Sequence, residues 1–209
     1  MKWVWLFMIG SYLSGSVLYA RVFSALFRCG DVAAASPDGN PGTANAFTYG
    51  GFACGALTLL FDLAKGFVPV FLFQTLNPAP QYPIALAFVL SAPVLGHAFP
   101  IFFRFHGGKA IAVSFGVMIG LFPEIHPLFC LILYYILFSL VLTLRPHSFR
   151  SVITYGLFTL TVFLFVPVNS IRLGCCIISA IVIYRHVIRC HDEVLQALLF
   201  GKYPLFHKS

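Results

Sequence analysis

Between Tyr49 and Leu76 the chain is mostly apolar and carries no charge but Asp62 and Lys65, and about 20 such residues suffice to cross a bilayer as a helix. Six more runs of this kind follow the same rule: Trp3–Leu26, Ile84–Phe103, Ala110–Phe122, Pro127–Leu144, Val152–Val168 and Leu173–Ile188. In lipid every backbone N–H and C=O must be paired inside the protein, so uniformly apolar runs of this length fold as helices. Composition agrees. Of 209 residues 60% are hydrophobic and 9% charged, where a soluble domain carries about a quarter charged. The expected fold class is all-α: a polytopic integral membrane protein of about seven transmembrane helices, forming a single unit over residues 1–209.

The run Ala110–Phe122 is the shortest. As a helix it would rise only ~20 Å against a ~30 Å hydrocarbon core, so it is either a short span or a re-entrant helix. Charge placement decides between them. If it crosses, Arg28, then Arg104 with Lys109, then Arg145 with Arg150, and the tail with Arg185, Arg189, Lys202 and Lys208 all fall on one side. The other side keeps Lys2, Glu124 and Arg172. The positive-inside rule then puts the N-terminus outside and the C-terminus in the cytoplasm. Arg21 and Arg28 favour an uncleaved first span over a signal peptide cut after Ala20. The same asymmetry accounts for the net charge of +7 without a nucleic-acid partner. The six cysteines form no C-x-x-C pair and sit mostly in apolar runs, so they read as small hydrophobes.

Two polar breaks share the face assigned to the cytoplasm. One is Ser36–Asn45, rich in glycine, proline and asparagine. The other runs from Gly96-His97 to Gly107-Gly108-Lys109. Glycines let backbone N–H groups approach an anion, and a lysine adds a mobile ammonium. This is not a nucleotide P-loop, since Phe103 stands where its first glycine would be and Ala110 follows the lysine. Asp62 and Lys65 are three apart, share a helix face and can pair, which lowers the cost of charge in lipid. Polar groups gathered at one membrane face, with no internal repeat, favour an interfacial enzyme. A transporter keeps such groups near the midplane.

The chain resembles the bacterial acyl-phosphate:glycerol-3-phosphate acyltransferases of the PlsY type over nearly its whole length. The resemblance is carried by Gly39-Asn40-Pro41-Gly42 with Asn45, by Phe61-Asp62-Leu63-Ala64-Lys65-Gly66, and by Gly96-His97 through Pro100 to Gly107-Gly108-Lys109. It implies a seven-span enzyme of the bacterial inner membrane with its active site facing the cytoplasm. Its substrates would be acyl phosphate and glycerol 3-phosphate, beside membrane lipid, with no metal, cofactor, coenzyme A or carrier-protein donor. The candidate catalytic residues are Lys109, Asn40, His97 and, at a departure from the family's pattern, Asp38. The implied substrate-binding residues are Ser36, Gly39, Gly42, Thr43, Asn45, Arg104, Gly107, Gly108, Arg145, Ser148 and His186. There are departures. Asp38 replaces the family's serine, Thr43-Ala44 shifts a hydroxyl by one place, Thr48 replaces an arginine, and Ala110 replaces a glycine. A serine-bearing loop survives loosely as Arg145–Ser151, and a late Arg-His-x-x-Asn pattern is blurred into Arg185–Arg189 with Cys190-His191-Asp192. They leave room for a divergent paralogue with another acceptor, or a silent one.

Acyl phosphate brings a good leaving group. The protein's task is to hold two anions together, stabilise an oxyanion and see a hydroxyl proton removed. Backbone N–H groups around Gly39, Gly42, Gly107 and Gly108 are candidate donors, and Lys109 is the natural phosphate partner. Asn40 and Asn45 offer amide donors or cap local turns. His97 is either a general base or a structural histidine. Asp38 either binds a backbone donor, pairs with Arg104 or Lys109, or acts as base. No Ser/His/Asp order or activated cysteine suggests a covalent intermediate, and the substrate's own phosphate can take the proton.

Overall fold

The computed structural model describes residues 2–77, 83–188, 195–201 and 203–204. Positions 78–82, together with Arg189, Cys190, His191, Asp192, Lys202 and Lys208, lie outside the described residues. Helices dominate what is described.

The first apolar run is two helices, α1 (Lys2–Gly15) and α2 (Tyr19–Leu26), bent by 44°. The bend takes the Val17 carbonyl out of the helical ladder, and Lys65 Nζ donates to it at 2.6 Å. A four-residue helix α3 (Val32–Ala35) follows, N-capped by Asp31. Next comes α4 (Thr43–Leu76), which is broken at Gly51, where φ is 82°. In a continuous helix Thr43 and Asp62 would stand ~28 Å apart, yet Thr43 Oγ1 donates to Asp62 Oδ2 at 3.4 Å. The first two turns therefore fold back along the rest of the helix. Gly55 makes room for them: a Cβ there would lie 2.2 Å from the Phe47 ring. The helix thus begins at Thr43, six residues before Tyr49, the expected start of the span, so Thr43, Asn45 and Thr48 are helical.

The remaining elements are α5 (Pro83–Ala98), a 3-10 turn (Ile101–Phe103), α6 (Ile111–Gly120), and α7 (His126–Ile136), which continues as a π turn to Val141. Then come β1 (Leu142–Arg145), α8 (His147–Phe165), α9 (Asn169–Val187), β2 (Gln196–Leu199) and β3 (Tyr203–Pro204). Four helices are long and apolar enough to cross a membrane, or five with the bent α1–α2 pair, while 111–120 and 126–141 are shorter. The fold is mostly helical as expected, with one addition. β1 pairs antiparallel with β2, Leu142 opposite Leu199 and Arg145 opposite Gln196, and β2 pairs with β3. Residues 142–144, expected to end a span, are strand, and α8 begins at His147 in place of Val152.

Lipid supplies no hydrophobic drive between helices, so membrane helices associate through close packing of small residues. Here the close contacts are made by glycine. A Cβ on Gly66 would sit 2.4 Å from the Val113 carbonyl and one on Gly116 2.1 Å from that of Leu63, bringing α4 and α6 into backbone contact. Gly15 and Gly96 do the same for α1 and α5. The core joins Val89 and Leu90 of α5, Val113 and Val117 of α6, Phe158 of α8 and Ile178 of α9. Outward-facing side chains such as Leu60, Leu133 and Phe163 stay exposed, as a lipid-facing surface requires.

Candidate active site

Asp38 ties the first polar break together. Its Oδ1 accepts from Asn45 Nδ2 at 2.9 Å and from the Asn40 N–H at 3.2 Å, and its Oδ2 lies 2.9 Å from Lys109 Nζ. Asn45 Nδ2 also donates to the Asn40 carbonyl at 2.8 Å, and Ser36 Oγ accepts the Asn40 N–H at 3.2 Å. Gly39 turns the chain at φ 59°, a conformation glycine adopts without cost. Of the roles open to Asp38, the geometry gives a backbone donor and Lys109. Arg104 is not its partner: that residue is exposed, in a left-handed turn, and does not line the cavity described below. Burial works to raise the Asp38 pKa, but the Lys109 ammonium and the Asn45 amide outweigh it and hold the carboxyl at about 2. A carboxyl that acidic is a poor general base near neutral pH.

The second break is clamped from α9. Arg185 Nη2 donates to the Gly107 carbonyl at 2.6 Å and its Nε to that of Gly108 at 3.2 Å, with the guanidinium 5.3 Å from the Phe99 ring centroid. The Gly108 N–H donates to the His97 carbonyl at 2.9 Å. That donor is spent on the scaffold, which corrects the expectation that it would seat an anion. The glycines serve close approach. A Cβ on Gly107 would lie 2.0 Å from the His97 carbonyl oxygen, and one on Gly108 2.2 Å from His97 Nε2.

Beneath both breaks lies a sealed polar cluster. Lys65 Nζ is 2.8 Å from Asp62 Oδ1, 2.9 Å from His97 Nδ1 and 2.6 Å from the Val17 carbonyl. Both side chains of the pair are 1% exposed. The spacing argument anticipated this pair, but the contact to His97, on another helix, it did not.

These parts enclose one cavity of about 610 Å³. Of the expected site residues, Asp38, Asn40, Gly42, Thr43, Asn45, His97, Lys109 and His186 line it. Ser36, Gly39, Gly107 and Gly108 are not among its lining residues. Ser148 is buried and outside the lining, and Arg145 lines a second pocket with Thr143 and Gln196. Residues not anticipated also face the cavity: Thr48, Asp62, Tyr135, His147, Arg150 and Ser151, with Leu59, Ile111 and Phe115 as an apolar wall. Arg150 donates to the neutral acceptors Leu144 O and Ser139 Oγ and, among the described residues, forms no ion pair. Positions 147, 150 and 151 fall on one face once α8 begins at His147. Reading that segment as a loop hid them. Asn40 lines the cavity, and its Oδ1 is buried with no hydrogen-bond partner among the described residues. Among the described residues no group of three His, Cys, Asp or Glu side chains converges as metal ligands would.

Comparison with known proteins follows the same lines. The sequence model of the family described as glycerol-3-phosphate acyltransferase matches residues 5–193. A glycerol-3-phosphate acyltransferase of Azotobacter vinelandii is 41% identical over 57% of this chain. That alignment spans 61% of the relative's length, so the chain covers about six-tenths of it. One of Pseudoalteromonas translucida is 33% identical over 87% of this chain and 84% of its own. Among solved structures, the crystal structure of PlsY, an integral membrane glycerol 3-phosphate acyltransferase, in its glycerol 3-phosphate form superposes with a TM-score of 0.75. It is 28% identical, over 88% of each chain.

Proposed function

The chain belongs to the glycerol-3-phosphate acyltransferase family, and on that premise we propose that it transfers a fatty acyl group from acyl phosphate to glycerol 3-phosphate. The product is 1-acylglycerol 3-phosphate, the first acylated intermediate of phospholipid synthesis. The reaction runs at the cytoplasmic face of the bacterial inner membrane, in a protein of seven crossings whose N-terminus is outside.

One observation carries the reading: a single cavity is lined both by cations and amides and by apolar side chains. Lys109, Arg150, Asn40 and Asn45 share its lining with Leu59, Ile111 and Phe115. Such a site suits an amphiphile with a phosphate head and an acyl tail beside a second, wholly polar phosphate ester. The acceptor's hydroxyl oxygen attacks the acyl carbon and forms the ester bond. The bond from acyl carbon to phosphate oxygen breaks, and the phosphate leaves with the electron pair. The hydroxyl proton passes to a phosphate oxygen, either the leaving group's or the acceptor's own. Lys109 and Arg150 offset the phosphate charges, and preorganised donors of this kind lower the barrier most where charge develops. Holding both reactants in one site removes the entropy cost of their encounter. The apolar wall keeps the acyl carbon in low dielectric, where each of these charges acts more strongly.

Assaying detergent-purified protein with glycerol 3-phosphate and either acyl phosphate or acyl-coenzyme A tests the proposal. Lysophosphatidic acid is expected from acyl phosphate alone. Product from acyl-coenzyme A, or none from either donor, would overturn it.

A further inference from the structure

The buried cluster sets three acceptor atoms around its ammonium among the described residues, beside the Tyr19 ring. Lys65 carries three N–H donors, and Asp62 Oδ1, the Val17 carbonyl oxygen and His97 Nδ1 lie at 2.8, 2.6 and 2.9 Å. An ammonium satisfies all three only if His97 Nδ1 offers a lone pair. A proton on Nδ1 would point at another N–H. Its alternative partner, Asp62 Oδ1, is a full ångström further from Nδ1, at 3.9 Å. The hydrogen bond made by one imidazole nitrogen sets the protonation of the other.

We propose that the Asp62–Lys65 pair is a positioning device that fixes His97 as the neutral tautomer with its proton on Nε2. His97 then meets the substrates as a hydrogen-bond donor and not as a general base. The ring's other edge is placed for this. His97 lines the cavity, and its Nε2 lies against Gly108, where a Cβ would come within 2.2 Å of it. The missing side chain at Gly108 therefore leaves room for that edge of the imidazole, while His97 itself lines the cavity. Thr43 adds a second tie, donating to Asp62 Oδ2 at 3.4 Å from the folded-back start of α4, so the loop that carries Asn40 and the device that orients His97 share one carboxylate. The ester-forming step keeps its balance. Nε2–H stays bonded to nitrogen while it stabilises an oxyanion or phosphate oxygen, and the hydroxyl proton goes to phosphate.

The donor role rests on the acyl-transfer reading; the tautomer does not. Solid-state NMR of protein labelled with 15N-histidine in lipid bilayers reads the tautomer directly, with His97→Gln identifying the signal. At neutral pH, Nε2 is expected as an N–H nitrogen and Nδ1 as a bare, hydrogen-bonded one. A proton on Nδ1, or an imidazolium, would overturn the proposal whether or not the protein transfers acyl groups. Kinetics test the donor role. Gln offers an N–H but no base, so His97→Gln should stay within about tenfold of wild-type turnover. His97→Ala should fall by on the order of a hundredfold, as when one preorganised donor is removed. Equal loss in the two variants, matched for melting temperature, would overturn the donor role.

Discussion

Two lysine–aspartate pairs stand close together in this protein, at almost the same separation: Lys65–Asp62 at 2.8 Å and Lys109–Asp38 at 2.9 Å. Their surroundings differ. The first pair is 1% exposed on both sides, while in the second Lys109 is 14% and Asp38 32% exposed. In the buried pair the Lys65 ammonium does not line the cavity and is held among Asp62, the Val17 carbonyl and His97. In the open pair the ammonium lines a cavity and can trade its carboxylate for an anion. Distance alone does not assign a role to an ion pair; access does.

The comparison is broken most severely by attacking the sealed pair. Asp62→Ala or Lys65→Ala leaves one uncompensated charge inside the bundle, which costs roughly 3–5 kcal/mol. The double variant should recover much of that loss. Thermal unfolding in detergent, with folded yield in membranes, measures all three, and additive losses would mean that each residue has its own partner. The open pair should behave otherwise. Asp38→Ala should lower stability by about 1 kcal/mol or less, the range for a partly solvated pair. A loss comparable to that of Asp62→Ala would erase the distinction between the pairs.

The smallest effect expected is on the acid side. The Asp38 carboxyl titrates at about 2 in the folded chain against a usual 3.8. A depressed carboxyl contributes its full stability above the unfolded value and loses it as pH falls through the folded one. Wild type should therefore lose stability relative to Asp38→Asn as pH drops from about 4 toward 2. Parallel melting curves for the two proteins across that window would mean that Asp38 is not held by Lys109 in solution.

Much of this was legible in the sequence for a physical reason: burial in lipid leaves a long apolar run little choice but helix. The Asp62–Lys65 pair was legible because i,i+3 spacing is a local rule. What escaped depended on distant partners. Nothing local marks Leu142–Arg145 as strand, because its partner Gln196–Leu199 lies far along the chain. Gly51 reads as one more small residue in a span until the Thr43–Asp62 contact shows the helix doubling back. Arg150 and Ser151 were hidden by the polar start of α8. Arg185 clamps a loop 78 residues away, a role that its position among the tail's positive charges did not suggest. Arg104, near the glycine pair in sequence, is exposed and outside the cavity lining for the opposite reason: nearness along the chain is not nearness in the fold.

The central claim is that the open lysine does the chemistry, and steady-state kinetics of Lys109→Ala with acyl phosphate and glycerol 3-phosphate test it most directly. The variant should melt close to wild type, since its pair is partly solvated. Its turnover should fall by on the order of a hundredfold to a thousandfold, the range for removing one preorganised electrostatic donor. Lys109→Arg should restore only part of it, because a planar guanidinium does not occupy the place of a compact ammonium. Turnover near that of wild type in well-folded Lys109→Ala would contradict the account, leaving the loop a turn and the lysine a bystander.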